Sequence, residues 1–497
     1  MGIRTGDEYL AGLRATSREI WLGSEKVESV ADHPMLRPAA ETLAAYYDLH
    51  HRLGGEMVVA DPDDGEPMSV SHLQPRSRED LARRHVALTH IAELTMGTMG
   101  RTPDYMNVTF AGFAQDEARW AGPDGVNDEG YENLVAFQRR LRRDDLALTH
   151  TIVQPTVDKA TDNDFAAHPA VPVHKVGETS DSIIVRGARV LATLAPFADE
   201  NAVYPGAPLP SGAPPEYALA FSVPMDSPGM VFLCRDSATR NLDPFDAPFS
   251  SWLDEQDAYC IFDDVEIPKS DVWIDAKPEI YNSVMFTSPW WPNIMQQTTI
   301  RALTKLEFIY GLALRMTQAV NDTSEKTLQL LGEIQIYVEL TRSSLLIAEE
   351  RMITWESGNV TPEARALHPL RAQLPAWFVR VNDILKEIGS SKLLATAARG
   401  QLDDPRIGPL LEEFLPGAEG IDPEQRAAVF RMGWDLVGTL FGGRNELYER
   451  NYLGATGLNR MLSQRLYSAE NQERGGYLVD KFLAEAANRA GREERHG

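Results

Sequence analysis

The sequence predicts an α+β protein of several domains, with helices at both ends of the chain and strands in the middle. Its 497 residues exceed the size of one compact core. Near both ends, apolar residues recur at intervals of three and four, which is typical of amphipathic helices. In the middle, short apolar and β-branched runs alternate with Gly, Pro and Asp, which is typical of strands and turns.

Residues 1–146 are predicted to form an N-terminal helical domain. Ser77 is placed to cap a helix over 78–99, in which Leu81, Leu88 and Ile91 are close to helical spacing. The stretch 54–75 is rich in Asp, Gly and Pro. We therefore expect a loop there that separates two helical hairpins.

Residues 147–274 are predicted to form a central β domain. The runs 182–186, 216–223 and 229–234 are bounded by turn residues, and strands at such short spacing indicate an antiparallel barrel or sandwich. Five prolines within 205–215 predict a long loop. Such a loop either covers a ligand or is a solvated connection, and both readings remain open.

Residues 275–497 are predicted to form a C-terminal helical bundle. Apolar residues repeat at helical intervals over 300–316 and again over 330–348. A further helix begins after Asp422, an expected N-cap, and is predicted to end at Gly442 and Gly443. Long helices with wide apolar faces favour an antiparallel bundle, one face of which can serve for oligomerisation.

Composition limits the partners of the protein. A formal net charge of −25 argues against nucleic acid and membrane surfaces, because both recruit clustered Lys and Arg. The two cysteines, Cys234 and Cys260, lack the spacing of metal ligands, so we expect no metal site. We see no signal peptide and no run of about 18 apolar residues. A soluble cytoplasmic protein is expected.

Two segments stand out as a candidate site. Residues 101–105, Arg-Thr-Pro-Asp-Tyr, place a cation, a proline and a phenol together, and His150 opens a polar segment that runs to Lys159. The dinucleotide, P-loop, serine-hydrolase and zinc-protease motifs are all missing from the sequence. The alternative is structural: Arg101 and Tyr105 would tie a helix end to a loop, and His150 would be a satisfied core histidine.

Together with five other segments, these two resemble the oxygenase component of 4-hydroxyphenylacetate 3-monooxygenase, in order and along nearly the whole chain. That family consists of two-component flavin-dependent aromatic hydroxylases with the acyl-CoA dehydrogenase fold. The matching segments are 27–34, 99–105, 150–159, 187–200, 253–268, 305–309 and 441–454.

The resemblance implies a domain order, a cofactor and a reaction. The fold would comprise an N-terminal helical domain, a central antiparallel β-barrel and a C-terminal four-helix bundle that assembles a homotetramer. Reduced FAD from a separate NAD(P)H-dependent reductase would react with O2 to give a flavin hydroperoxide. That species would hydroxylate a small aromatic substrate ortho to its phenol group.

The resemblance also assigns residues to the substrate pocket and to the flavin. Arg101, Tyr105 and His150 would be catalytic, with Arg101 stabilising a phenolate and His150 accepting or relaying its proton. They would bind the substrate together with Pro205 and Gly206. The implied flavin-binding residues are His150, Thr151, Ile152, Thr156, Val157, Asp158, Lys159, Thr193, Gly443, Arg444, Tyr452 and Gly454.

Some positions depart from the family pattern. Thr156 stands where glutamine is usual, Lys159 where arginine is usual, and Asn445 where histidine is common. The segment around Trp290 and Trp291 also differs. If it borders the pocket, the tryptophans could stack on an aromatic substrate; otherwise they are packing at a domain junction.

Three other readings compete with the monooxygenase. A 4-hydroxybutyryl-CoA dehydratase-like lyase would hold an iron–sulfur cluster through cysteines and a histidine, and this chain has too few cysteines. An acyl-CoA dehydrogenase-like flavoprotein would need a glutamate base beside the flavin. A non-catalytic flavin-binding scaffold would have no need of Arg101, Tyr105 and His150.

Overall fold

Helices make up most of the N-terminal part of the chain. The computed structural model describes residues 2–161, 165, 167–240, 243–285 and 288–493. Four short strands accompany the helices: β1 (Ile20–Leu22), β2 (Glu25–Lys26), β3 (Val58–Ala60) and β4 (Pro67–Ser69). The helices are α1 (Gly6–Ala15), α2 (Arg37–Leu53), α3 (Arg78–Leu94), α4 (Pro103–Ala114), α5 (Glu117–Trp120) and α6 (Asp128–Arg143).

The turn between α3 and α4 carries Arg101. Helix α3 begins as predicted, because the Ser77 hydroxyl accepts a hydrogen bond from the Asp80 amide at 3.2 Å. It ends before the predicted position 99, since Met96 and Gly97 adopt left-handed backbone with φ of 51° and 64°. Helix α4 then starts at Pro103, a position where the missing amide proton costs nothing.

The central strands form two open sheets. They are β5 (Leu148–Thr151), β6 (His174–Glu178), β7 (Ser182–Thr193), β8 (Glu200–Val203), β9 (Leu219–Pro224), β10 (Met230–Cys234), β11 (Asp257–Pro268) and β12 (Val272–Asp275). One sheet has the order β2-β1-β10-β11-β7-β6 and the other β12-β9-β8-β5. Neither sheet closes on itself within the described residues, so the predicted barrel is not confirmed.

The strand directions also differ from the predicted antiparallel arrangement. Strand β1 runs parallel to β10, and β5 runs parallel to β8. A barrel and a pair of packed sheets give strands the same alternation of apolar and polar residues. The difference lies in which edge strands pair, and the sequence pattern does not encode that.

The parallel pair β5 and β8 determines where the candidate site lies. His150 on β5 is opposite Ala202 on β8, and Thr151 is opposite Val203. Because parallel strands end at the same edge of a sheet, the residues that follow the two strands are neighbours. The segments that begin at Ile152 and Tyr204 therefore leave the sheet side by side.

The C-terminal part is a helical bundle that packs on the N-terminal helices. Helices α8 (Trp290–Gln318), α9 (Glu325–Glu350) and α10 (Ala364–Gly389) pack against one another, and α14 (Pro423–Gly438) packs on α8 and α10. Helix α8 also contacts α3 and α4. A two-stranded hairpin, β13 (Ile353–Thr354) and β14 (Val360–Thr361), joins α9 to α10. The helices are α7 (Pro278–Ser283), α8 (Trp290–Gln318), α9 (Glu325–Glu350), α10 (Ala364–Gly389), α11 (Ser391–Leu394), α12 (Arg399–Leu402), α13 (Ile407–Phe414), α14 (Pro423–Gly438), α15 (Leu440–Tyr452), α16 (Thr456–Tyr467) and α17 (Ala469–Glu493).

The single helix predicted between Asp422 and Gly443 is wrong. Asp422 does cap α14, since its carboxylate accepts from the Gln425 amide at 2.7 Å. The helix ends at Gly438, and Thr439 caps a new helix by accepting from the Gly442 amide at 3.4 Å. The helix break therefore occurs at Thr439, which is extended, and the double glycine that was predicted to end the helix lies inside α15.

No helix in the described ranges has both the length and the hydropathy required to span a membrane.

Candidate active site

Arg101 and His150 meet in the interior, where the turn before α4 faces strand β5. Nε of Arg101 lies 2.9 Å from Nε2 of His150. An arginine nitrogen only donates, so Nε2 of His150 is the acceptor. The two residues are 9% and 4% exposed. Two segments that are far apart in sequence are therefore joined by a buried hydrogen bond.

The other ring nitrogen of His150 pairs with the hydroxyl of Tyr204. Because Nε2 accepts from Arg101, the neutral ring carries its proton on Nδ1 and donates it to Tyr204. Burial, and then the charge of Arg101, hold the pKa of His150 well below its usual value of 6.5. The imidazole is thus neutral at physiological pH, with a fixed tautomer.

Tyrosine rings surround the guanidinium of Arg101. Its central carbon lies 3.8 Å from the ring centroid of Tyr105, 4.3 Å from that of Tyr452 and 5.9 Å from that of Tyr448. The faces of aromatic rings attract a cation without neutralising it. The side-chain hydrogen bonds of Arg101 in the described chain go to His150 and to the Gly100 carbonyl. The positive charge therefore remains available to an anionic ligand.

Glu255 holds the backbone of the turn that carries Arg101. One carboxylate oxygen accepts from the amides of Gly100 and Arg101 at 2.7 and 2.6 Å. The other accepts from Nη1 of Arg444 at 2.7 Å. Charged hydrogen bonds to a carboxylate that is 1% exposed are strong. Glu255 thus fixes Arg101 relative to helix α15.

Arg444 and Thr193, both predicted to contact the flavin, are linked through Asp257. Nε and Nη2 of Arg444 each lie 2.7 Å from an Asp257 carboxylate oxygen, and the Thr193 hydroxyl donates to the same group at 2.9 Å. Burial alone would lower the pKa of Arg444, but Asp257 and Glu255 raise it well above its usual range. This bidentate pair ties strands β7 and β11 to the bundle.

The segment that follows His150 passes from the interior to the surface. Thr151 is buried, Ile152 is half-buried, and the predicted flavin contacts from Thr156 to Lys159 are exposed. Both amide atoms of Gln154 are buried without a hydrogen-bond partner in the described chain. A flavin ring edge carries carbonyl and N–H groups that would satisfy such an amide. The residues present therefore fit the implied cofactor.

Pro205 and Gly206 lie against the same segment. They directly follow Tyr204, and a Cβ added to Gly206 would lie 2.5 Å from the carbonyl oxygen of Ile152. Glycine is thus required for the two backbones to approach so closely. The predicted substrate-binding pair is therefore adjacent to a predicted flavin-binding residue.

The remaining predicted flavin contacts lie at and after helix α15. The Tyr452 hydroxyl donates to the Gly100 carbonyl at 2.9 Å, so this residue contacts the turn of Arg101. Gly454 follows the end of α15 with a φ of 81°, and Gly443 is exposed on the helix. The Tyr448 hydroxyl is buried and has no partner within the described ranges. It is a second group that a bound ligand could satisfy.

A buried ion cluster supports Tyr452 from the bundle side. Glu449 accepts from Arg301 at 2.7 and 2.9 Å and from Lys305 at 2.7 Å. The guanidinium of Arg301 lies 4.4 Å from the Tyr452 ring centroid. Burial raises the pKa of Glu449, but the two cations outweigh it and lower that pKa to about 2.

Tyr204, Glu255, Asp257 and Glu449 were not predicted as site residues. Each lies in or beside a segment that the sequence had already marked: Tyr204 precedes Pro205, and Glu255 and Asp257 lie within 253–268. Their nearness to these segments was the only signal in the sequence, and it does not identify their partners. Their partners are more than 50 residues away in sequence.

Trp290 and Trp291 belong to a cluster of aromatic rings that also contains Phe113 and Tyr204. Trp290 stacks on Phe113 with ring centroids 5.9 Å apart, and Phe113 meets the ring of Tyr204 edge-on at 5.3 Å. The face of Trp291 is covered by the guanidinium of Arg371 at 3.7 Å. The tryptophans therefore stack on protein groups, and the rings of Phe113 and Tyr204 lie between Trp290 and His150.

Comparison with known proteins accounts for this arrangement. The family described as 4-hydroxyphenylacetate 3-hydroxylase matches through its N-terminal model at residues 5–274 and its C-terminal model at residues 282–483. The 4-hydroxyphenylacetate 3-monooxygenase oxygenase component of Thermus thermophilus is 34% identical, over 97% of this chain and 98% of that protein.

Solved structures give the same result. An oxygenase component of 4-hydroxyphenylacetate 3-monooxygenase, solved in complex with FAD and 4-hydroxyphenylacetate, has a TM-score of 0.90 and 33% identity over 98% of this chain and 99% of that one. An archaeal 4-hydroxybutyryl-CoA dehydratase from N. maritimus has a TM-score of 0.83 over 97% and 95% of the two chains, but at 17% identity it shows the fold alone. Since both halves of the family and relatives of full length match, this chain belongs to the 4-hydroxyphenylacetate 3-hydroxylase family.

Proposed function

We propose that this protein is the oxygenase component of a two-component flavin-dependent monooxygenase. It takes reduced FAD from a separate NAD(P)H-dependent reductase and uses O2 to hydroxylate a phenol ortho to its hydroxyl group. One oxygen atom enters the ring and the other leaves as water. Family membership and the relative that binds FAD and 4-hydroxyphenylacetate support this assignment.

The observation that carries the proposal is the hydrogen-bond chain Arg101, His150 and Tyr204. A phenol oxygen placed at the contact between Arg101 and His150 meets a cationic donor and an imidazole acceptor. Hydroxylation of the ring requires electron density, which a phenol supplies best as it loses its proton. Arg101 can stabilise the phenolate charge, and His150 can accept the proton that the phenol loses.

Each residue of the chain has a distinct role in activating the phenol. Arg101 stabilises the negative charge that develops on the phenol oxygen. Nε2 of His150 accepts the phenol proton while the ring is hydroxylated, and because its pKa is low the imidazole returns that proton to the oxygen when the aromatic product forms. Tyr204 accepts from Nδ1 and so keeps Nε2 directed at the reacting oxygen. When bound, reduced FAD would supply the activated oxygen atom.

Burial of these side chains excludes water from the reaction. Arg101, His150 and Tyr204 are at most 9% exposed, and Tyr105 and Tyr452 cover the cation. Exclusion of water limits side reactions of a reactive oxygen species, here its release as hydrogen peroxide. The ratio of hydroxylated product to peroxide therefore measures how well this site is formed.

We propose that the chain assembles as a homotetramer and works in the cytoplasm, where a reductase has access to NAD(P)H. Two surface helices of the bundle support assembly, because large apolar side chains are exposed along them. On α9 these are Leu328, Ile336, Leu340, Leu346 and Ile347, and on α17 they are Tyr477, Leu478, Val479, Phe482 and Leu483. Light scattering of the purified protein measures the assembly directly.

The cysteine chemistry disfavours the dehydratase alternative. Cys260 is buried and Cys234 half-buried, and burial raises the pKa of the Cys234 thiol to about 12. Cluster ligands are thiolates, which this burial opposes. Among the described residues, no group of three or more His, Cys, Asp or Glu side chains is arranged to hold a metal ion.

One assay tests the proposal. The purified protein is mixed with chemically reduced FAD and air in the presence of 4-hydroxyphenylacetate, and catechol product and hydrogen peroxide are both quantified. We expect catechol with wild type, and mostly peroxide with His150→Ala and Arg101→Ala. FAD binding without catechol from any phenol tested would instead support the non-catalytic scaffold. If the protein converts other phenols but not 4-hydroxyphenylacetate, the proposed substrate is wrong and the proposed type of reaction still holds.

A further inference from the structure

Arg371 borders the candidate site from the bundle side. It lies on α10, and its Nε donates to the carbonyl of Leu453 at 3.3 Å. Leu453 directly follows Tyr452, whose ring covers Arg101. A Cβ added to Gly454 would lie 3.6 Å from Nη2 of Arg371. Arg371 therefore reaches the same turn that places Tyr452 in the site.

A wall of aromatic rings also connects Arg371 to His150. The guanidinium lies 3.7 Å from the ring centroid of Trp291, whose neighbour Trp290 stacks on Phe113. Phe113 in turn contacts Tyr204, the hydrogen-bond partner of His150. Arg371 and Arg101 thus stand at two ends of one aromatic region.

Among the described residues no carboxylate pairs with Arg371, in contrast to the other arginines of its helix. Arg365 pairs with Glu470 at 2.7 Å, and Arg380 pairs with Glu333 at 2.9 Å. In the described chain, the Arg371 side chain contacts the Leu453 carbonyl and the face of Trp291. Burial lowers its pKa to about 10, while Tyr467 and Tyr105 oppose that change. An anion beside it would offset the cost of this partly buried charge.

The backbone of Arg371 is fixed by a proline one turn later. Pro375 has no amide proton, so it leaves the carbonyl of Arg371 without its usual helical partner. The Asn459 side chain donates to that carbonyl at 3.3 Å and ties α10 to α16. The side chain therefore starts from a defined position, which favours selective binding.

We propose that Arg371, held on the face of Trp291, is a subsite for an anionic oxygen group of a ligand bound at the candidate site. The group is either the carboxylate of the phenolic substrate or a phosphate of FAD. A planar guanidinium binds both through paired N–H donors. The inference rests on the proposed function, because that function supplies the ligands.

The substrate version follows from the shape of a para-substituted phenol. Its hydroxyl and its acidic group lie at opposite ends of the ring. With the hydroxyl held between Arg101 and His150, Arg371 at the turn after Tyr452 would hold the acidic group. Two anchors would then orient the ring and distinguish acidic phenols from neutral ones.

Binding measurements without turnover test the subsite. Calorimetry compares 4-hydroxyphenylacetate, its neutral amide and FAD for wild type, Arg371→Met, Arg371→Lys and Arg365→Gln. If the carboxylate is the ligand, Arg371→Met weakens the acid about tenfold or more and leaves the amide unchanged. If the phosphate is the ligand, Arg371→Met weakens FAD binding by a similar factor and leaves the binding of both phenols unchanged. Arg365→Gln, on the same helix, should change neither.

Two results for Arg371→Met would contradict the subsite. One is an equal loss of affinity for the acid and the amide, and the other is a change in affinity below about twofold for all three ligands. If Arg371→Met does not fold, Arg371→Lys decides, because it keeps the charge and loses the paired donors. Arg371→Lys should weaken binding of the same anionic ligand, the acid or FAD, but less than Arg371→Met does. Unchanged binding of both contradicts the proposal. Because no turnover is measured, loss of acid binding in a protein that never forms catechol would refute the proposed function alone.

Discussion

The hydrogen bond from Nε of Arg101 to Nε2 of His150, 2.9 Å long, joins a permanent cation to an imidazole that stays neutral. Each residue determines the state of the other. Burial, and then the charge of Arg101, lower the pKa of His150, and the hydrogen bond fixes its tautomer, while His150 gives Arg101 a neutral acceptor in place of a carboxylate. A carboxylate would cancel the charge that a phenolate requires.

Acidification should destabilise the folded protein through His150. Its folded pKa lies below 6.5, so the unfolded chain binds the extra proton first as the pH falls. The stability contributed by neutral His150 is complete above the unfolded pKa of 6.5 and is lost as the pH falls below it. Urea unfolding of wild type and His150→Gln between about pH 7.5 and 5 measures this. The wild type should lose more stability, and parallel curves contradict the assignment.

Removing one hydroxyl group should uncouple the proposed reaction. Tyr204→Phe keeps the ring packed but removes the acceptor for Nδ1 of His150. One such hydrogen bond is worth about 1 to 1.5 kcal/mol, so we expect kcat/KM to fall about tenfold and peroxide to rise. Tyr217→Phe is the matched control, because its hydroxyl donates to the Pro169 carbonyl away from His150. Equal effects of the two changes would show that Tyr204 acts only through packing.

The order of helices and strands could be predicted from the sequence because it follows from local signals, whereas a shared pocket for the two site segments was implied by the resemblance to a family. Helical spacing, the caps at Ser77 and Asp422, and the strand runs are encoded within a few residues. The break at Thr439 was missed because two local signals competed there, and a threonine N-cap outweighed a double glycine.

Tyr204 and Glu255 could not be predicted as site residues from local signals. Tyr204 reaches His150 only because β5 and β8 are parallel and end together. Glu255 accepts from the amide of Arg101, which lies 154 positions away. Such partners are determined by strand pairing and helix docking, and no short pattern in the sequence records them.

Neutralising Glu255 should destabilise the protein and loosen the site. Glu255→Gln keeps the shape but weakens the acceptor for two amides and leaves Arg444 short of one carboxylate. Breaking a buried charged pair costs about 3 kcal/mol or more, measured as a lower urea midpoint with unchanged slope. Glu446→Gln, which removes a surface pair with Arg450, should cost less than about 1 kcal/mol. If both variants lose a similar free energy of unfolding, the hydrogen bonds of Glu255 stabilise the protein no more than a surface ion pair does.

The junction of α14 and α15 should depend on its cap. Thr439→Ala removes the acceptor for the Gly442 amide and the donor to Asp435, whose carboxylate accepts from the amides of Phe249 and Ser250. Loss of an N-cap costs about 1 kcal/mol. Thr439→Ser retains the hydroxyl and should restore most of that loss in thermal unfolding. If the serine variant is as unstable as the alanine variant, the cap is not the cause.

Replacing Arg101 should separate its charge from its geometry. Arg101→Lys keeps a cation but loses the Nε donor and the planar stacking between Tyr105 and Tyr452. Arg101→Met removes the charge as well. NMR titration should therefore find the pKa of His150 higher in the Met variant than in wild type, yet below 6.5, because burial is the larger cause and remains. In the lysine variant the pKa should stay low while coupling still falls, since charge alone cannot direct Nε2 of His150. A pKa of His150 that is the same in wild type and the Met variant would mean that Arg101 does not act on the imidazole through its charge.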